Sequence, residues 1–227
     1  MPAIKISQMS ATRSLVRGLV LTLATLLLVS CSPAFVLPPK LVATEPVATE
    51  PSGPPIIDSS PPQWRLGDTW SYSDGYGLKV TDIDDEGVAT LTRTDIPDYW
   101  IKRRGIFKVE SLSGKAHRKV IFRSTPPDVL FPLESGKVVE FVREFTRNLQ
   151  LRKHKTLWRV AGKETIEVPA GRFECWVLDW HTKSLISEWE GKERWWYVPK
   201  IKNFIRLEYR YGNTPAGSRV LMDYQVD

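Results

Sequence analysis

Apolar and polar residues alternate with a period of two along most of the chain after residue 63. That is the repeat of a strand with one buried face, not the 3.6-residue repeat of a helix. Lys79-Val80-Thr81-Asp82-Ile83 runs into Asp84-Asp85-Glu86-Gly87, and Val88-Ala89-Thr90-Leu91-Thr92 returns, which predicts a hairpin with a short glycine-containing loop. Further strand-like runs fall at 105–110, 119–122, 138–145, 156–160, 164–168, 173–180, 194–198, 204–211 and 219–226. Turn residues separate many of them: Ser113-Gly114, Pro126-Pro127-Asp128, Ser135-Gly136, Pro169-Ala170-Gly171 and Gly212-Asn213. The pattern predicts an all-β fold, or a β-rich α+β one, built as a single antiparallel sheet, barrel or half-barrel. No window carries a long amphipathic helix, and a short helix is placed at 128–133 or 140–148.

The N-terminus follows a different pattern. Residues 1–17 hold Lys5, Arg13 and Arg17 and no acid, and residues 18–29 are apolar apart from Thr22 and Thr25. The small residues Ser30, Cys31 and Ser32 follow. A basic segment, a short apolar run and a small-residue end predict a secretory signal peptide. The apolar run is too short for a permanent span, which takes about 20 residues.

Leu28-Val29-Ser30-Cys31 resembles the lipobox of bacterial lipoproteins. The resemblance implies that Cys31 is acylated with diacylglycerol, that cleavage falls between Ser30 and Cys31, and that the new amino group receives a third chain. Several acyl chains hold a protein stably on a membrane where one does not. In a Gram-negative cell, Ser32 after the cysteine implies sorting to the outer membrane, with the protein on its periplasmic side.

Residues 31–62 are rich in Pro, Ala, Thr, Val and Glu, and Val42-Ala43-Thr44-Glu45-Pro46 is repeated at once as Val47-Ala48-Thr49-Glu50-Pro51. Such a segment favours extended polyproline II over a packed core and serves as a tether. The chain therefore divides into a signal peptide (1–30), a lipidated tether (31–62) and one extracytoplasmic β-domain (63–227), long enough for a core of its own.

Composition adds two points. All nine tryptophans lie in the domain, and removing Lys5, Arg13 and Arg17 with the signal takes the formal net charge from +6 to +3. A near-neutral exported protein is not expected to bind nucleic acid.

Four short motifs occur in order: Trp64-Arg65-Leu66-Gly67-Asp68-Thr69-Trp70-Ser71-Tyr72, Leu130-Phe131-Pro132-Leu133-Glu134-Ser135-Gly136-Lys137, Val168-Pro169-Ala170-Gly171-Arg172-Phe173 and Trp196-Tyr197-Val198-Pro199. Their order resembles uncharacterised bacterial envelope lipoproteins with V-P-A-G-x-F and F-P-L-x-x-G-K signatures. That resemblance implies a β-rich fold akin to the half-barrel of the LolA/LolB carriers, and it supplies no catalytic residue.

Candidate chemistry is sparse. Once Cys31 is acylated, Cys175 is the remaining thiol, which excludes an intramolecular disulfide; it reads as a small buried strand residue. Asp82 to Gly87 imitates the start of a calcium loop, but Arg93 stands where the bidentate Glu is needed. His117, His154 and His181 have no metal-ligand spacing. No catalytic, metal or cofactor site is expected. The basic clusters Lys102-Arg103-Arg104, His117-Arg118-Lys119 and Arg152-Lys153-His154-Lys155 read as charged loops and solvent faces, or as contacts for anionic head groups or acidic glycans. Adjacent Trp195 and Trp196 must face opposite ways in a regular strand. With Trp180 they are the candidate ligand-binding residues, since tryptophan suits a sugar platform or a lipid-lined cavity.

Three functions fit these features. The leading one is a non-catalytic, membrane-anchored lipoprotein that binds an envelope component (a lipid, a lipoprotein or another protein) in a concave apolar face. A glycan-binding module, or an enzyme acting on envelope polymer, is the alternative. A structural subunit of an envelope assembly is the third.

Overall fold

A computed structural model describes residues 58–147 and 149–227 of the chain. Cys31 and residues 1–57, where the sequence predicts the signal peptide and most of the tether, lie outside the described residues.

Twelve strands form the domain: β1 (Thr69–Tyr72), β2 (Gly77–Ile83), β3 (Ala89–Arg93), β4 (Tyr99–Arg104), β5 (Phe107–Ser113), β6 (Ala116–Arg123), β7 (Val138–Arg147), β8 (Gln150–Val168), β9 (Gly171–Ser184), β10 (Glu190–Val198), β11 (Asn203–Tyr211) and β12 (Gly217–Gln225). Each pairs antiparallel with its neighbour in sequence, and β12 returns to pair with β1, so the sheet closes as an up-and-down barrel. The sheet closes completely, where the family resemblance implies half a barrel. The only helices among the described residues are two 3₁₀ turns, Pro127–Leu130 and Pro199–Ile201. The first falls in the 128–133 window; residues 140–147 are strand, because Phe141, Arg143 and Phe145 alternate with Glu140, Val142 and Glu144.

Two expected strands, 156–160 and 164–168, are one. β8 carries a bulge where Val160 pairs with Leu178 and Gly162 with Val177, and Gly162 has φ +149°, a value L side chains rarely adopt. The glycine bends the strand instead of ending it. The β8–β9 hairpin tip then reaches β12, where the Ala170 amide donates to the Leu221 carbonyl at 3.3 Å and Phe173 meets Tyr224 edge-on.

Eight strands make a barrel whose interior side chains just fill it; twelve leave space over. One end of this barrel is nevertheless packed solid. Call it the base: the chain enters there, and the 3₁₀ turns lie there. Trp70, Tyr197, Leu130, Leu178, Ile201, Ile205 and Leu221 are fully buried. Trp70 Nε1 donates to the Ile201 carbonyl at 2.8 Å, and Trp64 packs edge-on against Trp70 at 5.7 Å. Asp68 and Lys202 form a buried ion pair at 2.8 Å, and the Asp68 carboxylate also accepts from the Arg65 and Asp227 amides. The sequence motifs gather here. Trp64–Tyr72 lines the entry, and the Gly136 amide and Lys137 carbonyl of the second motif bond Val160 at 2.8 and 2.9 Å. Trp196-Tyr197-Val198-Pro199 leads into the second 3₁₀ turn.

The outer wall is charged. Glu140 pairs with Lys155, Glu144 with Arg123 and Lys153, Asp179 with Arg194, and Glu190 with His181 and Lys192. A lipid-facing barrel wall carries an apolar band instead, so this surface is built to face water.

Candidate functional site: a cationic lumen

Above the packed base the barrel holds a cavity of about 760 Å³. Its lining reaches the other end of the barrel through Tyr76, Tyr99, Arg147, Arg152, Ser187 and Trp189, where the β1–β2, β3–β4, β7–β8 and β9–β10 connections cluster. The mouth is therefore at the opposite end from the point where residues 58–68 join the barrel.

The lumen is not the apolar concavity expected from the sequence. Aromatic rings line it, among them Phe122, Phe141, Trp158, Trp180 and Trp195, but so do eight basic side chains and one acid. The basic residues are Arg93, Arg103, Lys108, Arg118, Arg143, Arg147, Arg152 and Arg219; the acid is Glu193. The period-two pleat explains this. Each basic cluster of the sequence is split by alternation: Arg103, Arg118, Arg152 and His154 line the lumen, while Lys102, His117, Lys153 and Lys155 pair with carboxylates on the outside. These clusters are neither loops nor wholly solvent faces.

Only two of the lumen cations have a carboxylate within salt-bridge distance among the described residues: Arg93 has Asp95, and Arg219 has Asp74 at 3.1 Å. Glu193 is occupied otherwise, accepting from Trp195 Nε1 at 2.7 Å and from the Tyr211 hydroxyl at 2.5 Å. Three of the other guanidinium groups rest on aromatic faces. Arg143 lies 5.0 Å from the Trp180 ring and 5.7 Å from Phe145, Arg118 6.0 Å from Phe145, and Arg103 5.5 Å from Trp195. Cation–π contact orients a guanidinium without using up its hydrogen-bond donors.

Electrostatics follow from this crowding. Lys108 is enclosed by the barrel, yet its surface faces open lumen and no packed atoms. Burial, with Arg103, Arg143 and Arg118 nearby, pushes its ammonium down to about 8, against the opposing pull of Glu193. Burial pushes Arg143 down to about 10. Burial and the neighbouring Arg143 and Arg152 lower His154 to about 4, so it is neutral at physiological pH. Cys175 lies outside the lumen with its thiol raised to about 12 by burial, and it donates to the Glu164 carbonyl at 3.0 Å.

A stability prediction follows. In the unfolded chain Lys108 holds its proton up to the ordinary 10.5, whereas in the empty barrel it lets go near 8. Between those values the unfolded state binds more protons, so the Lys108 contribution to stability rises with pH across the window. Lys108→Met is expected to raise the urea midpoint of the empty protein near neutral pH and to leave it little changed above about pH 11, past both values. A lower midpoint near neutrality would contradict this.

Of the expected ligand-binding tryptophans, Trp180 and Trp195 line the lumen and Trp196 does not. Trp196 turns to the outer side of β10, where Arg206 covers its ring at 4.6 Å and Glu164 accepts its Nε1–H at 2.7 Å. The calcium-like run is a turn: Asp84 accepts from the Glu86 and Val88 amides with one oxygen, at 3.0 and 2.9 Å. Among the described residues no three His, Cys, Asp or Glu side chains converge as metal ligands.

No protein-family model matches the chain, and no curated protein does. Solved structures do resemble it. The hypothetical lipoprotein YmcC of Escherichia coli K12 aligns with a TM-score of 0.49 at 10% identity, covering 70% of this chain and 85% of its own. A Bacteroides fragilis protein described as exported and YmcC-like in fold aligns with a TM-score of 0.45 at 13% identity, covering 75% of this chain and 100% of its own.

Proposed function

We propose that this chain is a lipid-anchored lipoprotein of the bacterial envelope that holds an envelope component inside its barrel without changing it chemically. The observation that carries this reading is the lumen: a cavity of about 760 Å³, packed shut at the base and lined with aromatic rings. Its volume is in the range of small-molecule sites. The charged outer wall suits a domain surrounded by water, and the lipobox at Leu28–Cys31 supplies the membrane attachment. Residues 58–68 join the barrel at its base, the end opposite the mouth. In a Gram-negative cell the domain stands on the periplasmic side of the outer membrane.

Binding without catalysis is supported by how the reactive groups are placed. Among the described residues the lining offers a single carboxylate, Glu193, already held by Trp195 and Tyr211, with no second carboxylate facing it. A glycosidase needs two. His154 has no carboxylate partner among the described residues, and Cys175 is buried away from the lumen.

Cys31→Ala tests the anchor. The variant is expected to lose the acyl adduct and processing at that site, and the share of protein released from membranes after export is expected to rise. Unchanged membrane retention with a native mass free of acyl chains would overturn the anchor. Protein purified natively from membranes is expected to bring an occupant with it, and clean, empty protein counts against interior binding.

A further inference from the structure

We infer that the lumen is an anion-binding chamber, in which Lys108, Arg118 and Arg143, backed by Arg103, hold the phosphate or carboxylate group of an amphiphile whose apolar portion lies against Trp158, Trp180 and Phe141. This rests on the interior-binding reading above and names the chemical class of the occupant.

Register sets one pair of these cations face to face and the others on the strands beside it. Arg103 on β4 pairs directly with Lys108 on β5, Ser111 on β5 with Arg118 on β6, Phe122 on β6 with Arg143 on β7, and Arg143 with His154 on β8. Directly opposed side chains on one face have Cβ atoms about 5 Å apart, and like charges so placed repel. Two cations facing each other inside a wall, with no carboxylate bridging them, cost stability in the empty protein. Such a violation of local rules marks a functional site.

The buried donors say the same. Among the described residues, six buried side-chain polar atoms lack a hydrogen-bond partner. Four of them are the Nε atoms of Arg103, Arg118, Arg143 and Arg219, and all four residues line the lumen. Arg219 has Asp74; for Arg103, Arg118 and Arg143, which have no carboxylate within salt-bridge distance among the described residues, an anion supplies the missing charge and acceptors. Arg93, Arg147, Arg152 and Arg219 lie at the mouth ends of their strands, while Arg103 and Lys108 start from the base halves of theirs. A cation track running inward from the mouth draws an anion toward the floor. The rings beside the track supply an apolar surface that a bare inorganic anion does not use.

The test titrates the full acylated protein, purified in a neutral detergent, with octyl phosphate, octanol and inorganic phosphate by calorimetry. Octyl phosphate is expected to bind at least tenfold more tightly than either of the others. It is expected to weaken with added salt, and again above about pH 8, where Lys108 loses the proton that burial, with Arg103, Arg143 and Arg118, already destabilises against the pull of Glu193. A Lys108→Gln/Arg143→Gln double variant is expected to lose that tenfold preference while its octanol affinity stays the same. A Lys108→Arg/Arg143→Lys variant, which keeps both charges, is expected to retain most of it and controls for folding. Equal binding of octyl phosphate and octanol overturns the anion inference and leaves interior binding standing. Inorganic phosphate binding as tightly as octyl phosphate overturns the amphiphile and makes the ligand a free anion. Binding of none of the three overturns the inference together with the reading beneath it.

Discussion

Trp70→Ala is expected to cost about 3–5 kcal/mol of folding stability, enough to unfold much of the population of a domain of ordinary stability. Trp70 is 1% exposed and sits where three pieces of the base meet. Its ring takes the edge of Trp64 at 5.7 Å, and its indole N–H closes on the Ile201 carbonyl at 2.8 Å. Alanine leaves a cavity too enclosed to collapse and a buried carbonyl without a donor, which adds about 1–3 kcal/mol of its own. Trp70→Phe separates the two losses: it keeps most of the packing and removes only the donor. The measurement is urea denaturation followed by far-ultraviolet circular dichroism. A loss below about 1 kcal/mol for the alanine variant would show that the base is not the main stabilising core.

Lys202→Ala is expected to cost a similar amount, about 3–5 kcal/mol, because it strands the Asp68 carboxylate inside the base. Asp68 is 2% exposed and Lys202 6%, so water replaces the lost ammonium poorly. Lys202 also holds a left-handed backbone at φ +62°, as the residue that ends the 3₁₀ turn Pro199–Ile201. Lys202→Gly relieves that backbone and still breaks the pair, so it should destabilise less than alanine. A double variant, Asp68→Asn with Lys202→Ala, removes the stranded charge and should recover part of the loss. Equal midpoints for the single and double variants would mean that the pair contributes little.

Much of the fold was legible because the strands obey simple alternation. β7 and the first half of β8 follow period two closely, while β9, β10 and β11 are buried on consecutive residues at their base ends. β1 and β4 carry no clear strand signal: Thr69–Tyr72 is short, and Tyr99–Arg104 ends in three basic residues that look like a loop. The sequence does not distinguish barrel from half-barrel, because pairing of β1 with β12 joins segments at opposite ends of the domain and leaves no local trace.

The motifs that stood out in the sequence, Trp64–Tyr72, Leu130–Lys137 and Trp196–Pro199, build the packed base. The candidate site lies elsewhere. Its signal was present in the sequence: Arg118-x-Val120-x-Phe122, Phe141-x-Arg143-x-Phe145 and His154-x-Thr156-x-Trp158 put a basic residue on the same face as core residues. Read as clusters, Lys102-Arg103-Arg104 and Arg152-Lys153-His154-Lys155 suggested solvent faces. Read at period two, each sends part of its charge inward. What sequence could not supply is the width of the barrel. A narrower barrel would have to expel those cations, whereas twelve strands leave a lumen to hold them.

Interior binding requires a guest in that lumen. A native mass spectrum of the protein extracted from its membrane in neutral detergent tests this most directly. The expected spectrum shows a mature chain beginning at acylated Cys31 with one non-covalent guest, an acidic amphiphile, that octyl phosphate displaces. A spectrum of the acylated chain alone, unchanged when octyl phosphate is added, would contradict the account.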